Sequence, residues 1–128
     1  MVLTLRLKRF AYSLMRILIY RKGRLVRING QELYFPIEYS RYYPEGYETE
    51  KQKFIEANCE GVTLDLGAHI GLYTVIMSRL SKVVVAVEPA PNTRKVLEKT
   101  LLLNQCPNVA IIGTACKHQQ RNFKHTRR

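Results

Sequence analysis

Residues 62–73 read V-T-L-D-L-G-A-H-I-G-L-Y, and this stretch decides the fold. It is an apolar run that ends in an acid and two glycines, followed by an amphipathic segment. A second apolar run, V-V-V-A-V-E-P at residues 83–89, ends in Glu88. Nucleotides bind at the carboxyl ends of parallel strands, next to glycine-containing turns of this kind. The sequence therefore predicts a nucleotide-shaped pocket between two strand ends.

Strands and helices alternate beyond residue 61. The apolar periodicity predicts, in chain order, strand Val62–Leu66, helix Ile70–Leu80, strand Lys82–Val87, helix Pro91–Asn104 and strand Val109–Ile112. Such alternation is typical of β-α-β crossovers and a parallel sheet. The almost unbroken apolar run Val83–Val87 also predicts a strand that is covered on both faces. We therefore expect an α/β fold built on a parallel sheet.

The N-terminal region has a different organisation. Apolar side chains at helical spacing predict a basic amphipathic helix over residues 5–19. This helix either caps the domain or lies on an anionic membrane surface. From residue 24 the apolar period changes to two, and Leu25–Ile28 and Glu32–Phe35 flank the dipeptide Asn29-Gly30. That arrangement predicts a β-hairpin, whose second strand ends at Pro36.

An aromatic loop and a helix link the hairpin to the alternating region. Residues 38–47 contain four tyrosines without clear period, and they serve either as packing groups or as a lid over a ligand. Residues Glu48–Ala57 have helix-forming composition, and we expect Phe54 and Ile55 to be its buried side chains. The segment 58–61 ends this helix.

The net charge of +11 is concentrated at the two ends of the chain. Residues 1–27 carry eight lysines and arginines and no acid, and residues 117–128 carry five and no acid. The residues between them carry eight basic and ten acidic side chains. Basic ends are either solvated or bind the phosphates of nucleic acid or of anionic lipid. The hydrophobic fraction of 46% excludes a disordered chain.

The cysteines indicate a reducing compartment, and the apolar N-terminal stretch predicts neither a membrane span nor secretion. Cys59, Cys106 and Cys116 are odd in number and have no C-x-x-C spacing, so neither a disulfide framework nor a metal site is expected. Charged residues interrupt the apolar N-terminal stretch, which leaves no run of the length that a membrane span needs. No small-residue cleavage site follows it. We expect a cytoplasmic protein that is either free or peripheral to a membrane.

The polar residues at the strand ends match the polar groups of S-adenosylmethionine. Asp65 would lie near an ammonium, the amides of the turn and of the helix N-terminus can take a carboxylate, and the two oxygens of Glu88 can accept both ribose hydroxyls. A dinucleotide-binding turn requires G-x-G-x-x-G, but His69 stands where its middle glycine would be. A P-loop requires G-K-[ST], which is absent. The alternatives are that Asp65 only supports the loop and that Glu88 is a solvated strand end.

The chain resembles the FkbM family of S-adenosylmethionine-dependent methyltransferases. Its V-T-L-D-L-G-A-H-I-G-L-Y-T, A-V-E-P-A-P-N and L-L-L-N-Q-C-P-N-V are similar to D-x-G-A-N-x-G-x-Y-T, E-P-x-P and N-x-x-x-N-V of the family, in the same order. The resemblance spans roughly residues 48–115, and it implies a Rossmann-like class I methyltransferase fold. It places the adenine near Ala115. It implies that the cofactor is bound by Asp65, Gly67, Ala68, His69, Gly71, Tyr73, Thr74 and Glu88. His69 replaces the usual Asn.

Members of this family have four more strands, which complete a seven-stranded sheet. This chain ends after the third strand, so we expect a truncated domain whose first strand has an open edge. That edge is suited to self-association or to a partner chain. We divide the chain into an N-terminal part (1–47), a partial S-adenosylmethionine-binding domain (48–116) and a basic tail (117–128).

Two functions follow as hypotheses. The first is a methyltransferase that acts on oxygen in a small molecule or glycan; no base lies at a matched position, so no catalytic residue is assigned. The second is a non-catalytic basic module that binds nucleic acid or an anionic membrane surface. Binding of S-adenosylmethionine discriminates between them.

Overall fold

A computed structural model describes residues 23–114, together with Leu7, Phe10 and Ala11. Those three N-terminal residues are helical, and Leu7 and Phe10 are exposed. The rest of the helix predicted over 5–19, the segment at Ala115 and the basic tail lie outside the described residues. In the part of the chain that is described, no helix is long and apolar enough to cross a membrane.

The predicted alternation of strands and helices is confirmed. The elements are strands β1 (Gly23–Ile28) and β2 (Gln31–Pro36), a short 3-10 helix (Ile37–Tyr39), helix α1 (Thr49–Asn58), strand β3 (Val62–Leu66), helix α2 (Leu72–Leu80), strand β4 (Val83–Val87), helix α3 (Pro91–Leu103) and strand β5 (Val109–Ile112). Most predicted boundaries are within one or two residues of these. Helix α2 begins at Leu72 rather than Ile70 because Gly71, at φ 100°, cannot belong to a right-handed helix.

The parallel sheet has the order β3-β4-β5. Val62 pairs with Val83 and Leu66 with Val87, so the carboxyl ends of β3 and β4 lie side by side. Helices α2 and α3 cover one face of the sheet, where Val84 and Ala86 pack against Val75, Ile76 and Leu97. This face contains the main core of the described chain.

The opposite face of the sheet is largely bare within the described residues. Side chains alternate across a strand, so Val62, Leu64 and Leu66 share this face, and they are 75, 56 and 60% exposed. Val83 of β4 and Ile112 of β5 are also exposed there. The prediction that Val83–Val87 is covered on both faces is therefore wrong at Val83, which is 41% exposed, although Val87 on the same face is only 7% exposed.

The predicted hairpin is confirmed, and β2 ends at Pro36. Asn29 and Gly30 both have positive φ, 47° and 80°, as the tight turn between twisted strands requires. The inward side chains of the hairpin, Ile28, Leu33 and Phe35, are fully buried. Asn104 at the end of α3 exchanges two hydrogen bonds with the backbone of Tyr34, at 2.8 and 2.7 Å. The hairpin is thereby fixed against the helical layer.

Helix α1 is buried through a different set of side chains from the one predicted. Ile55 is buried as expected, but the prediction for Phe54 is wrong, because its side chain is 68% exposed. The second buried side chain is Gln52, which is 3% exposed. Its amide donates to the carbonyl oxygen of Asn29 and to Glu56, at 3.2 and 2.9 Å. A polar contact with the hairpin turn therefore orients this helix.

Candidate functional site

A cleft of about 270 Å³ lies at the carboxyl end of β3. Five of the eight predicted cofactor-binding residues line it: Asp65, Gly67, Ala68, His69 and Tyr73. The remaining three, Gly71, Thr74 and Glu88, lie outside the lining. The rest of the wall comes from Leu72, from the aromatic loop and from the start of α1, with Tyr42, Tyr43, Tyr47, Glu48 and Lys51.

The turn between β3 and α2 is held by hydrogen bonds to the end of β4. Gly67 and Ala68 both donate backbone N–H groups to the carbonyl oxygen of Val87, at 2.9 and 3.0 Å. The N–H of His69 donates to a carboxylate oxygen of Glu88 at 2.9 Å. These three amides are engaged within the protein, so they are not the free carboxylate donors that the sequence suggested.

Two residues of this turn require a left-handed backbone. Gly67 has φ 80° and His69 has φ 51°. Among residues with a side chain, Asn, Asp and His are enriched in this region. A histidine at position 69 is therefore compatible with the left-handed backbone of the turn. The His69 ring also contacts the tyrosines: Nδ1 lies 3.4 Å from the hydroxyl of Tyr43, and its centroid lies 5.3 Å from that of Tyr42.

Asp65 is a buried carboxylate at the end of β3. Its Oδ2 accepts a hydrogen bond from the hydroxyl of Thr74 at 2.6 Å, and both side chains are buried. Burial raises the pKa of Asp65, while the Thr74 bond and the charge of Lys51 act in the opposite direction. Thr74 therefore positions Asp65 and does not line the cleft itself. The carboxylate still borders the cleft.

Glu88 binds backbone on both sides of the strand end. One carboxylate oxygen accepts from His69, and the other accepts from the N–H of Ala90 at 2.9 Å. The side chain is 7% exposed, so the alternative of a solvated strand end is wrong. Since each carboxylate oxygen has two lone pairs, both oxygens retain acceptor capacity. Glu88 connects the turn after β3 to the turn after β4.

Gly71 is a packing residue. A Cβ built at this position would lie 2.8 Å from Cδ1 of Leu97 and 3.4 Å from Cγ2 of Thr100. The absence of a side chain lets the start of α2 approach α3 closely. At Gly67, by contrast, a built Cβ meets no atom within 4 Å. Of the two glycines, only Gly67 borders the cleft.

The aromatic loop packs in the core, as one of its two predicted roles requires, and it also lines the cleft. Tyr43 is buried and packs on Phe35, with ring centroids 5.8 Å apart, and burial raises its pKa. Its ring also contacts Tyr42 and Tyr47, each at a centroid distance of 4.9 Å. All three tyrosines line the cleft. The loop is therefore anchored in the core and forms one wall of the site.

Sequence reasoning missed the charged group at the start of α1. Glu48 precedes the helix with φ 42°, a left-handed conformation that is uncommon for this residue type. Its Oε2 accepts from the hydroxyl of Tyr73 at 2.7 Å and from Nζ of Lys51 at 3.2 Å. These two contacts lower the pKa of Glu48. The only signal in the sequence is the i, i+3 spacing of Glu48 and Lys51, which is common on helix surfaces.

No protein-family model matches this sequence, and no curated protein matches it significantly. Among solved structures, Trm5b from Pyrococcus abyssi is 24% identical, with a TM-score of 0.55 over 70% of this chain and 27% of that one. TYW2 from M. jannaschii, solved in complex with AdoMet, is 24% identical, with a TM-score of 0.54 over 71% of this chain and 42% of that one. Trm5 from Methanocaldococcus jannaschii, in complex with adenosine, is 19% identical, with a TM-score of 0.50 over 71% and 28%.

Two of these structures contain AdoMet or adenosine, and the match spans less than half of each of the three chains. At identities below 25%, the likeness concerns the fold. The parallel order β3-β4-β5, with its helices and its cleft at the strand ends, agrees with that fold. The described chain therefore has a Rossmann-like fold of the class I methyltransferase kind.

Proposed function

We propose that this chain binds S-adenosylmethionine and belongs to a methyltransferase. The observation that carries the proposal is the position of Asp65, a buried carboxylate that borders a cleft where β3 and β4 end together. Parallel α/β sheets bind their ligands at this edge. A buried carboxylate there is suited to an ammonium group, which the amino acid end of the cofactor carries.

The hydrogen-bond acceptors at the strand ends fit that cofactor. Asp65 and Glu88 lie at the ends of neighbouring strands, and both retain acceptor capacity for donors of a ligand. In this proposal Asp65 binds the ammonium and Glu88 accepts the ribose hydroxyls. Gly67 leaves open space beside the cleft, while Gly71, Thr74 and the backbone of Ala68 and His69 hold the turn in place. When bound, S-adenosylmethionine supplies an electrophilic methyl group.

The cleft is small for the whole cofactor. Pockets that enclose a drug-sized ligand have volumes of about 300–1,000 Å³, and this one has about 270 Å³. It borders Asp65 but not Glu88. We therefore propose that it receives the amino acid end of the cofactor and that the nucleoside lies towards Glu88.

The finer identity is also a proposal. The three motifs support membership of the FkbM family, and with it methylation of oxygen in a small molecule or glycan by a cytoplasmic enzyme. In this scheme residues 48–116 form the cofactor-binding part, and residues 1–47 contribute the hairpin and the aromatic wall. The open edge of β3 would receive a further chain or a second copy. Sedimentation velocity at several protein concentrations tests that association.

Calorimetric titration with S-adenosylhomocysteine tests the cofactor proposal. Glu88→Gln keeps the shape of the side chain and one carbonyl acceptor, but its NH2 group faces the N–H of either His69 or Ala90, so one hydrogen bond of the turn is lost as well. We expect saturable binding by the wild type and binding at least tenfold weaker in Glu88→Gln, since a hydrogen bond to a charged group contributes about 1.5–3 kcal/mol. Glu98→Gln, at an exposed position of α3, is the matched control and should bind normally.

The same titration addresses the alternative of a basic module. A folded wild type that releases no heat with S-adenosylhomocysteine contradicts the proposal. Salt-dependent retention of that protein on DNA would then favour a nucleic-acid-binding module. Thermal melting of each variant establishes that a loss of binding is not a loss of folding.

A further inference from the structure

Lys51 is the only cation among the described residues that line the cleft. The other charged side chains of the wall are Glu48 and Asp65. Lys51 is the third residue of α1, and its side chain is 55% exposed. The ammonium lies 4.5 Å from the centroid of the Tyr73 ring, which is itself part of the wall. The cleft thus presents one positive and two negative groups to a ligand.

The free α-amino acid group is a zwitterion, and it needs an acceptor for its ammonium and donors for its carboxylate. Asp65 provides the acceptor. The obvious donors, the amides of the turn after β3, are already used: Gly67 and Ala68 donate to Val87, and His69 donates to Glu88. The first amides of α2 and the ammonium of Lys51 remain as donors for a carboxylate in this cleft, and of these only Lys51 carries a full positive charge.

We propose that Lys51 binds the carboxylate of the amino acid end of S-adenosylmethionine, opposite Asp65, which binds the ammonium. The inference rests on the proposed cofactor and assigns one group of it to a residue outside the sequence motifs. Lys51 and Asp65 are not paired with each other: the ion pair of Lys51 is with Glu48, at 3.2 Å. The two opposite charges border the same cleft, as a ligand that carries both an ammonium and a carboxylate requires.

The surroundings of Lys51 leave it able to bind a ligand. An ammonium has three N–H donors, and the bond to Glu48 uses one of them. Glu48 is itself held by the hydroxyl of Tyr73 at 2.7 Å, and the Tyr73 ring lies beneath the ammonium. Glu48 and Tyr73 are therefore positioning residues that direct Lys51 over the cleft. The left-handed backbone of Glu48 agrees with this role, since such conformations cluster at functional sites.

The charges of the whole cleft agree with the same ligand. Glu48, Lys51 and Asp65 sum to −1 when all three are ionised. S-adenosylmethionine carries a sulfonium, an ammonium and a carboxylate, which sum to +1. Cofactor and cleft are therefore complementary in net charge as well as group by group.

Two probes separate the amino acid end from the rest of the ligand. S-adenosylhomocysteine carries the ammonium and the carboxylate, and 5′-methylthioadenosine lacks both. In calorimetric titrations we expect Lys51→Met to weaken S-adenosylhomocysteine binding by about 10- to 100-fold, the range for one charge-assisted hydrogen bond, and to leave 5′-methylthioadenosine unchanged. Lys51→Arg, which keeps the charge, should retain most of the affinity.

Lys53→Met is the matched control. Lys53 lies on the same helix, is exposed and pairs with Glu50 at 2.9 Å, away from the cleft lining. Its substitution should change neither affinity. The assignment of Lys51 would be overturned if wild type and Lys51→Met bound S-adenosylhomocysteine equally well. It would also be overturned if Lys51→Met lost the binding of both ligands. Either result leaves the cofactor proposal intact. A wild type that does not bind S-adenosylhomocysteine overturns both.

Discussion

The side chain of Asn29 donates a hydrogen bond to the carbonyl oxygen of Tyr47, at 2.8 Å and across 18 positions of sequence. Its Oδ1 accepts from the backbone N–H of Gly46 at 2.9 Å, and its own N–H donates to Glu45 at 2.8 Å. Asn29 also exchanges two hydrogen bonds with the side-chain amide of Gln52 in α1. Asn29 is therefore both a turn residue of the hairpin and the anchor of the loop that borders the cleft.

Replacement of Asn29 by Gly should loosen that loop. Gly accepts the φ of 47° at this position, so the change removes side-chain hydrogen bonds without straining the turn. We expect the free energy of unfolding to fall by about 2 kcal/mol, as for the loss of two or three partly buried bonds. Binding of S-adenosylhomocysteine should also weaken. Urea denaturation and calorimetric titration measure the two effects.

Asn58→Gly is the control for that change. Asn58 lies at the exposed end of α1 and bonds only locally, to the carbonyl oxygen of Phe54 at 2.7 Å. A loss of affinity as large in Asn58→Gly as in Asn29→Gly would show that the effect on binding does not come from the loop.

Replacement of Asp65 by Asn should weaken the binding of S-adenosylhomocysteine without lowering the thermal stability of the protein. Burial raises the pKa of Asp65 above its ordinary value of 3.8, so the ionised form is less favourable in the folded than in the unfolded chain. The contribution of this carboxyl to stability therefore decreases as pH rises from 3.8 through the folded-state pKa. Asp65→Asn should consequently unfold at no lower a temperature than wild type at pH 7, while it binds S-adenosylhomocysteine more weakly.

The raised pKa of Asp65 also predicts that the affinity for S-adenosylhomocysteine depends on pH. An ammonium is attracted by the ionised form of Asp65, so the affinity of wild type for S-adenosylhomocysteine should fall on acidification through the raised pKa, at a pH above 3.8. The affinity of Asp65→Asn should change little over that range. Titrations at a series of pH values check both curves, and parallel curves would remove Asp65 from the ammonium site.

Replacement of Gly71 by Ala should destabilise the packing of α2 on α3. The new Cβ meets Leu97 at 2.8 Å, and φ is 100°. Gly61 has φ 56° and no atom within 4 Å of a built Cβ, so Gly61→Ala carries only the backbone cost, about 1–2 kcal/mol. We expect Gly71→Ala to lose roughly 1–3 kcal/mol more from overpacking. Equal urea midpoints for the two variants would contradict the close contact with Leu97.

The neighbours Phe54 and Ile55 should respond in opposite ways to truncation. Ile55 is buried in the core and Phe54 is exposed. Ile55→Ala should cost about 2–5 kcal/mol of unfolding free energy, and Phe54→Ala should stay within about 0.5 kcal/mol of wild type. A larger loss for Phe54→Ala than for Ile55→Ala in denaturant melts would contradict the orientation of α1.

The elements whose signals are local could be predicted from the sequence. Three features are determined by residues within the element itself: the Asn29-Gly30 turn, the apolar run of β4 and the start of α3 at Pro91. The turn after β3 was placed correctly for the same reason, since its glycines limit what the backbone can do. Five of the eight predicted site residues consequently lie on the cleft.

Other features depend on contacts between distant segments, which no local pattern reports. Gln52 is buried because its amide meets the hairpin turn, and Phe54 is displaced to the exposed side of α1 as a result. In the sequence, Glu48 and Lys51 have the i, i+3 spacing of an ordinary ion pair on a helix surface. Only folding brings them to the cleft beside Tyr73. The bare face of the sheet was not predicted for a similar reason. An apolar strand can be covered on one face or on both, and its sequence alone does not distinguish the two cases.

That bare face has a consequence for calorimetry. Water that meets apolar surface on unfolding raises the heat capacity, by about 12–15 cal/mol/K per residue in an average globular protein. In this chain Val62, Leu64 and Leu66 already contact water in the folded state. A dilute monomer should therefore show a smaller heat-capacity increment than its length suggests. Its stability would then vary unusually little with temperature.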